Sequence, residues 1–344
     1  MNTDLLEHLH LLADSNSLPS HEYLFDLADR CSTLLETEKT AYRPDSSSGP
    51  GGLLDFTVES EPVLPLVIIP DLHARAFFLK HIIDYKLPLD FVSSADGKQV
   101  TLFEALSENL IRVVSVGDLL HSELRGRERW LSALEDYRAG IHAGSAMTEE
   151  MKEGLALLSC VMELKNAFPS HFHILKGNHE NIMNERSEGN FPFKKFADEG
   201  EMVYLFMQEH YGDDVLMVIS SFERNLPLAA AFPSCMISHA EPMEAYSRKQ
   251  IINGMRDSDL IHGLTWTPND TACEYSCNAM LKEFTKNPDA LYFGGHRPVF
   301  GTCTFRQGGK YIQIHNPDRE FITLIYKDRN FDPDTDIIDV SRQG

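Results

Sequence analysis

Positive charge is scarce in this 344-residue chain: 31 Lys and Arg stand against 52 Asp and Glu, for a formal net charge of −21. Such a surface repels a phosphate backbone and argues against nucleic acid as a partner. A site that handles phosphate would have to gather positive charge locally, from metal ions or a few arginines. Long apolar runs are missing too. None approaches the roughly 20 residues that span a bilayer, so no membrane partner is expected. The N-terminal stretch MNTDLLEHLHLLADS has neither a basic n-region nor a continuous apolar h-region, and no secretory leader is read there. The six cysteines are scattered, and only Cys273 and Cys277 lie close together. One such pair without a second does not complete a zinc site. Reduced thiols in a cytoplasmic protein are the simpler reading. No internal repeat is visible. What remains is an ordinary globular composition, 42% hydrophobic, able to fill a sizeable core.

Along the chain, residues 4–14 and 20–37 carry apolar residues at helical spacing, with Asn16 or Ser20 as caps. Asp45 to Gly52 (DSSSGPGG) reads as a loop. We therefore expect an N-terminal helical extension and linker over 1–62 and a catalytic domain over 63–330. An acidic tail over 331–344 is expected to fray. Between 123 and 168 lies a padded, helix-compatible stretch, read either as a helix pair packed on a sheet or as a cap over a site.

The informative pattern is a series of short apolar runs, each followed at once by Asp, Asn or His. Leu64–Ile69 leads into Pro70-Asp71-Leu72-His73, and Ile111–Val116 into Gly117-Asp118. Phe172–Leu175 leads into Gly177-Asn178-His179-Glu180, Cys235–Ser238 into His239, and Ala290–Phe293 into Gly294-Gly295-His296. Short β-branched runs bounded by Gly or Pro are buried strands, and ligands bind at the carboxyl ends of strands in α/β folds. The candidate ligands Asp71, His73, Asp118, Asn178, His239 and His296 form a mixed N/O set suited to divalent transition metals. One aspartate shared between two ions would hold them about 3.5–4 Å apart, the arrangement that grips a phosphoryl group and delivers a bound hydroxide in line. His179 is then placed to protonate the leaving oxygen. Taken singly, each residue has a structural explanation: a core imidazole, a helix cap, a turn. Their conjunction in this order does not.

That order resembles the calcineurin-like metallophosphoesterases, more closely the phosphoprotein phosphatase branch in its prokaryotic-like form. Two further stretches carry the likeness, Phe222–Ala230 (FERNLPLAA) ahead of Ser238-His239-Ala240, and Leu264–Asn269 (LTWTPN). The resemblance covers about residues 63–326. It implies an α/β fold of two mixed β-sheets in a sandwich flanked by helices. It also implies a dimetal site (Mn, Fe or Zn) with Asp71 and His73 on the first ion, Asp118 bridging, and Asn178, His239 and His296 on the second. His179 resembles the general acid, and Glu180 a group that supports the ligands. The implied activity is hydrolysis of phosphomonoesters, foremost as a serine/threonine protein phosphatase-like enzyme. The alternatives are a dinucleoside polyphosphate hydrolase or other small-molecule phosphatase, and a weakly active metal-binding scaffold.

The departures are specific. Pro70 and Ala74 replace flanking glycines, and His121 and Ser122 stand where the family has an aspartate that orients the catalytic histidine and an arginine that binds phosphate. An imidazole at 121 is expected to lower the pKa of His179. A phosphate-binding guanidinium must then come from Arg75, Arg125, Arg256 or Arg297. His315 ends a further expected strand, 311–315, near the same place.

Overall fold

A computed structural model describes residues 3–47, 49–58 and 63–343; of the expected linker, 48 and 59–62 lie outside the described residues. Helices α1 (Thr3–Ala13) and α2 (His21–Glu36) come first, the second capped by Ser20, whose hydroxyl accepts from the Tyr23 amide. A ribbon of β1 (Asp45–Ser46) and β2 (Gly49–Pro50) leads to β3 (Leu53–Asp55) and β4 (Leu66–Ile69). Then follow α3 (Ala76–Asp84), α4 (Leu102–Ser107), β5 (Arg112–Ser115), α5 (Arg127–Arg138), α6 (Ser145–Ala167) and β6 (Phe172–Ile174). The second half runs α7 (Glu199–His210), α8 (Asp213–Asn225), β7 (Ala229–Ala231), β8 (Cys235–Ser238), α9 (Arg248–Asn253), α10 (Ser258–Thr265), α11 (Ser276–Phe284) and β9 (Leu291–Gly294). It closes with β10 (Thr304–Arg306), β11 (Tyr311–Gln313), β12 (Phe321–Ile325) and β13 (Ile337–Asp339).

The strands make two mixed sheets, a five-stranded one ordered β13-β12-β4-β5-β6 and a six-stranded one ordered β10-β11-β9-β8-β7-β3. Side-chain alternation explains the layering. Leu66 and Ile68 of β4 point between the sheets with Val114, Ile237, Phe293 and Ile312, while Val67 and Ile69 point outward against α1 to α8. In β3, Leu54 faces the other sheet, and Leu53 faces outward with Met236 and Tyr292 toward α9 to α11. Apart from the exposed edge strand β10, both faces of both sheets are covered, which is why the inner strands read as continuous apolar runs. The order is helix, sheet, sheet, helix. Burying each such Leu, Ile or Val contributes roughly 1.5–3 kcal/mol.

Two expectations about the chain's organisation need correcting, and of the two readings of 123–168 the packed helix pair is the one seen. The linker contributes β3, which pairs in parallel with β7, because Leu53 and Leu54 are apolar on both faces. The acidic tail is not frayed throughout, since β13 pairs with β12 through Ile337 and Ile338. The 123–168 stretch forms no cap. Its helix α6 runs through the core, burying Met151, Leu155, Leu158 and Met162 against neighbouring helices and β6.

Candidate metal centre

Within the five-stranded sheet β4, β5 and β6 are parallel, and β8, β9 and β11 are parallel in the other. Their carboxyl ends meet at one edge of the sandwich, so loops from both sheets deliver side chains to a single point. Asp71 and His73 follow β4, Asp118 follows β5, and Asn178 and His179 follow β6. His239 and His296 follow β8 and β9. All of them are buried except His296, which is partly so.

The loops that carry them are tightly wound. His73, Ala74, Asp118, His121 and His296 all have left-handed backbones, with φ between 44° and 65°. Such conformations strain residues with a Cβ and gather at functional sites. Gly117, at φ 103°, lets the β5 loop pass against Leu175 and Gly177, and a Cβ on Gly295 would sit on the Asp71 carboxylate. Glu180 ties two of the loops together. Its carboxylate accepts from the amides of Gly177 (2.6 Å), Asp118 (3.0 Å) and Leu119 (2.8 Å). Burial and the Asp118 charge push its pKa up, against the pull of those amides.

Asp118 stands at the middle of the cluster. Its Oδ1 accepts from the His179 amide at 2.9 Å, while Oδ2 lies 3.3 Å from His239 Nε2, 3.6 Å from His73 Nε2 and 3.7 Å from His179 Nε2. The Asn178 side-chain oxygen lies 2.9 Å from His239 Nε2 and 2.7 Å from His296 Nδ1. Two further ring nitrogens are spoken for: His73 Nδ1 meets the His121 carbonyl at 3.1 Å, and His239 Nδ1 the Val116 carbonyl at 3.0 Å. Anchoring of this kind fixes the tautomer of a metal-ligating imidazole. Asp71 Oδ1, Asp118 Oδ2 and His296 Nε2 are buried and lack hydrogen-bond partners. The two orphaned carboxylate oxygens belong to residues on which imidazoles converge, and that mixed N/O set fits divalent transition ions. Asp71 with His73 and His315, His73 with Asp118 and His179, and Asp71 with Asp118 and His239 each converge closely enough to hold one. Burial would raise the Asp118 carboxyl, yet His179, His239 and His73 hold it well below the carboxylate range. Burial lowers His239, but the Asp118 and Asp71 charges carry it up to about 9.

His121 points at His179, Nδ1 to Nδ1, at 3.0 Å. Burial, then His73 and His121, hold His179 well below the ordinary histidine range against the opposing pull of Asp118. Burial and His73 press His121 down to about 3. Both rings are therefore neutral near pH 7, and one of the two Nδ1 atoms carries the shared proton. Phe193 covers His179 with ring centroids 3.8 Å apart.

The cluster opens into a cleft of about 510 Å³, walled by the 184–195 loop, Trp266 and Arg297. Arg297 lies on its wall, but the other guanidinium expectations fail. Arg75 is buried, and all three of its nitrogens donate to backbone carbonyls, those of Asp71, Leu72, Asn316, Pro317 and Arg319. Arg125 is held by Glu153 and the carbonyls of His73 and Ala74, and Arg256 is exposed away from the cleft. At the family's arginine position, Ser122 is locked to Glu150 of α6 through both its amide (2.7 Å) and its hydroxyl (2.6 Å). The cations on the wall are Arg186, Lys194, Lys195 and Arg297. Arg186, Lys194 and Lys195 escaped sequence reasoning because they sit in a loop without periodicity; their only signal was local positive charge in an acidic chain.

No protein-family model matches this chain, and no curated protein does. Among solved structures it is similar to a protein serine/threonine phosphatase from Saccharomyces cerevisiae with similarity to human phosphatase PP5. The two are 13% identical, over 93% of this chain and 89% of that chain, with a TM-score of 0.54. A cold-active protein-tyrosine phosphatase of a Shewanella species is 12% identical over 86% of this chain and 79% of that one, with a TM-score of 0.45. The chain has the two-sheet calcineurin-like metallophosphoesterase fold.

Proposed function

We propose that this protein is a dimetal-dependent phosphoesterase that hydrolyses phosphomonoesters, most closely a serine/threonine protein phosphatase-like enzyme. One observation carries the reading: carboxylates with unpartnered oxygens, and the imidazoles that converge on them, come from strand ends of both sheets to the base of a cation-walled cleft. Asp71, His73 and Asp118 would hold one divalent transition ion, and Asp118, Asn178, His239 and His296 the other. When bound, such a pair would neutralise phosphoryl oxygens and lower the pKa of a water toward neutrality.

The chain's own residues do the rest. Arg297 and Lys195 meet the phosphate oxygens that lie outside the metal centre, replacing the arginine absent at Ser122. His179 Nε2 hands a proton to the departing oxygen, and His121 fixes its ring through the Nδ1 contact. Phe193 keeps bulk water off that imidazole. The reading as a dinucleoside polyphosphate hydrolase loses its main support, because of the 123–168 stretch only Glu123, at its very start, lines the cleft among the described residues.

The test is metal analysis of the purified protein with hydrolysis of p-nitrophenyl phosphate, first with added Mn and then with a chelator. About two transition ions per chain with chelator-sensitive turnover is expected, followed by screening of phosphopeptides against dinucleoside polyphosphates. Bound metal without turnover on any phosphoester would leave a metal-binding scaffold. Absence of bound metal would overturn the ligand assignment.

A further inference from the structure

β11 is another strand whose carboxyl end reaches the site. It delivers His315, a fully buried imidazole that belongs to none of the residues assigned above. Two contacts orient it. Its Nε2 lies 2.8 Å from Glu123 Oε2, and the other Glu123 oxygen accepts from Lys195 Nζ at 2.9 Å. A carboxylate accepts only, so Nε2 carries the proton and Nδ1 is left with a bare lone pair. That Nδ1 has no hydrogen-bond partner. It sits 3.8 Å from Asp71 Oδ2, and its ring centroid is 5.2 Å from that of His73. A ring that gives one N–H to a carboxylate and turns the other nitrogen toward an aspartate, beside a second histidine, has the arrangement of a metal-bound histidine with its supporting carboxylate.

We infer that His315 is a fourth protein ligand, through Nδ1, of the ion held by Asp71, His73 and Asp118, and that Glu123 positions it. The inference rests on the dimetal reading and goes beyond it. The ligand set implied by resemblance gives that ion three protein donors; here it has four, two nitrogens and two oxygens. Glu123 also connects the centre to the cleft wall, because it holds Lys195. No hydrogen-bond partner accounts for the bare Nδ1, and unlike the unpartnered Nε2 of His173 it belongs to a ring that converges with two other candidate ligands, Asp71 and His73.

The experiment titrates Mn(II), and separately Zn(II), into chelator-treated full-length protein by equilibrium dialysis, comparing wild type with His315→Ala and Glu123→Gln. Wild type should bind two ions. His315→Ala should keep one affinity and weaken the other by at least about 100-fold, and Glu123→Gln should weaken the same one by about 10–100-fold. A second readout needs no variant: in ¹⁵N-histidine-labelled wild type loaded with Zn(II), His315 should show a zinc-shifted Nδ1 and a protonated Nε2. It therefore decides the matter if His315→Ala does not fold. Two ions bound with both affinities unchanged in His315→Ala, or a His315 ring unshifted by Zn(II), overturns the inference and leaves the dimetal centre standing. A wild-type protein that binds neither metal overturns both.

Discussion

The Glu38–Arg43–Lys165 cluster and the cluster at the strand ends are both buried and both mix charge of opposite sign, yet they are satisfied in opposite ways. In the first, Glu38 meets Lys165 Nζ at 2.5 Å and Arg43 at 2.7 Å, while Arg43 also donates to the carbonyls of Leu35, Gly51 and Asn225. Only His173 Nε2 is left without a hydrogen-bond partner there. In the second, oxygens of Asp71 and Asp118 and nitrogens of His296 and His315 are left over, and Asp71, Asp118 and His315 lie in groups that converge with His73 and His239. A buried polar group without a partner costs about 1–3 kcal/mol, so a fold keeps several together only where something else completes them. Burial and charge alone do not separate a rivet from a reaction centre. The direction of the unsatisfied atoms does.

Asp118→Asn tests the reactive side hardest. The bridging charge is lost while the acceptor for the His179 amide stays, so turnover should fall at least about 100–1,000-fold, the scale of removing one preorganised electrostatic group. Bound metal should drop below two per chain. Stability of the metal-free protein should fall by less than in the rivet variant, because the one ion pair lost, to His239 at 3.3 Å, is offset by relief of a crowded, partly unsatisfied carboxylate. Full activity with both ions retained, or an unfolding cost like that of the rivet, would erase the distinction between the clusters.

Glu38→Gln is the converse. It leaves Lys165 and Arg43 buried beside an uncharged partner, and breaking such a pair costs about 3–5 kcal/mol, to be read from urea unfolding with turnover of the folded fraction unchanged. The sign of its pH dependence follows from the carboxyl. Burial raises it, but Lys165, His173 and Arg43 outweigh burial and hold it far below the usual range. Its contribution is therefore present above the ordinary carboxylate pKa of about 4.3 and is lost as pH falls below it. Wild type should lose stability steeply on acidification and the variant less so. Parallel acid limbs would mean that Glu38 is no rivet.

Much of the reactive cluster was legible in the sequence, and less of its surroundings. Runs such as LVII and RVVS are buried on both faces, so they announce strands, and the polar residue after each marks a strand's end. β7 is three alanines, β3 two leucines and an aspartate, and β13 an island in an acidic tail; pairing partners far along the chain decide them. Arg75 misled because nearness in sequence says nothing about direction. With His73 and Ala74 left-handed and α3 starting at 76, its guanidinium turns back onto carbonyls instead of into the cleft. His315 was visible as a strand end, but Glu123, which gives it meaning, lies 192 positions away.

The smallest expected effect falls where this chain departs from the family it resembles. His121 and His179 are two neutral rings sharing one proton, so His179 offers Nε2–H or a bare Nε2 according to which Nδ1 is protonated. An aspartate at 121 accepts only. It would hold the proton on His179 Nδ1 and favour the imidazolium, countering the burial and neighbouring histidines that press His179 down. His121→Asp should therefore move the limb of the pH–rate profile that reports His179 to higher pH by about 1 unit or more. Metal content should stay at the wild-type level. A profile that does not move would mean that His121 packs beside His179 without governing its proton; one that moves to lower pH would mean that the buried carboxyl is itself protonated and donates to the ring.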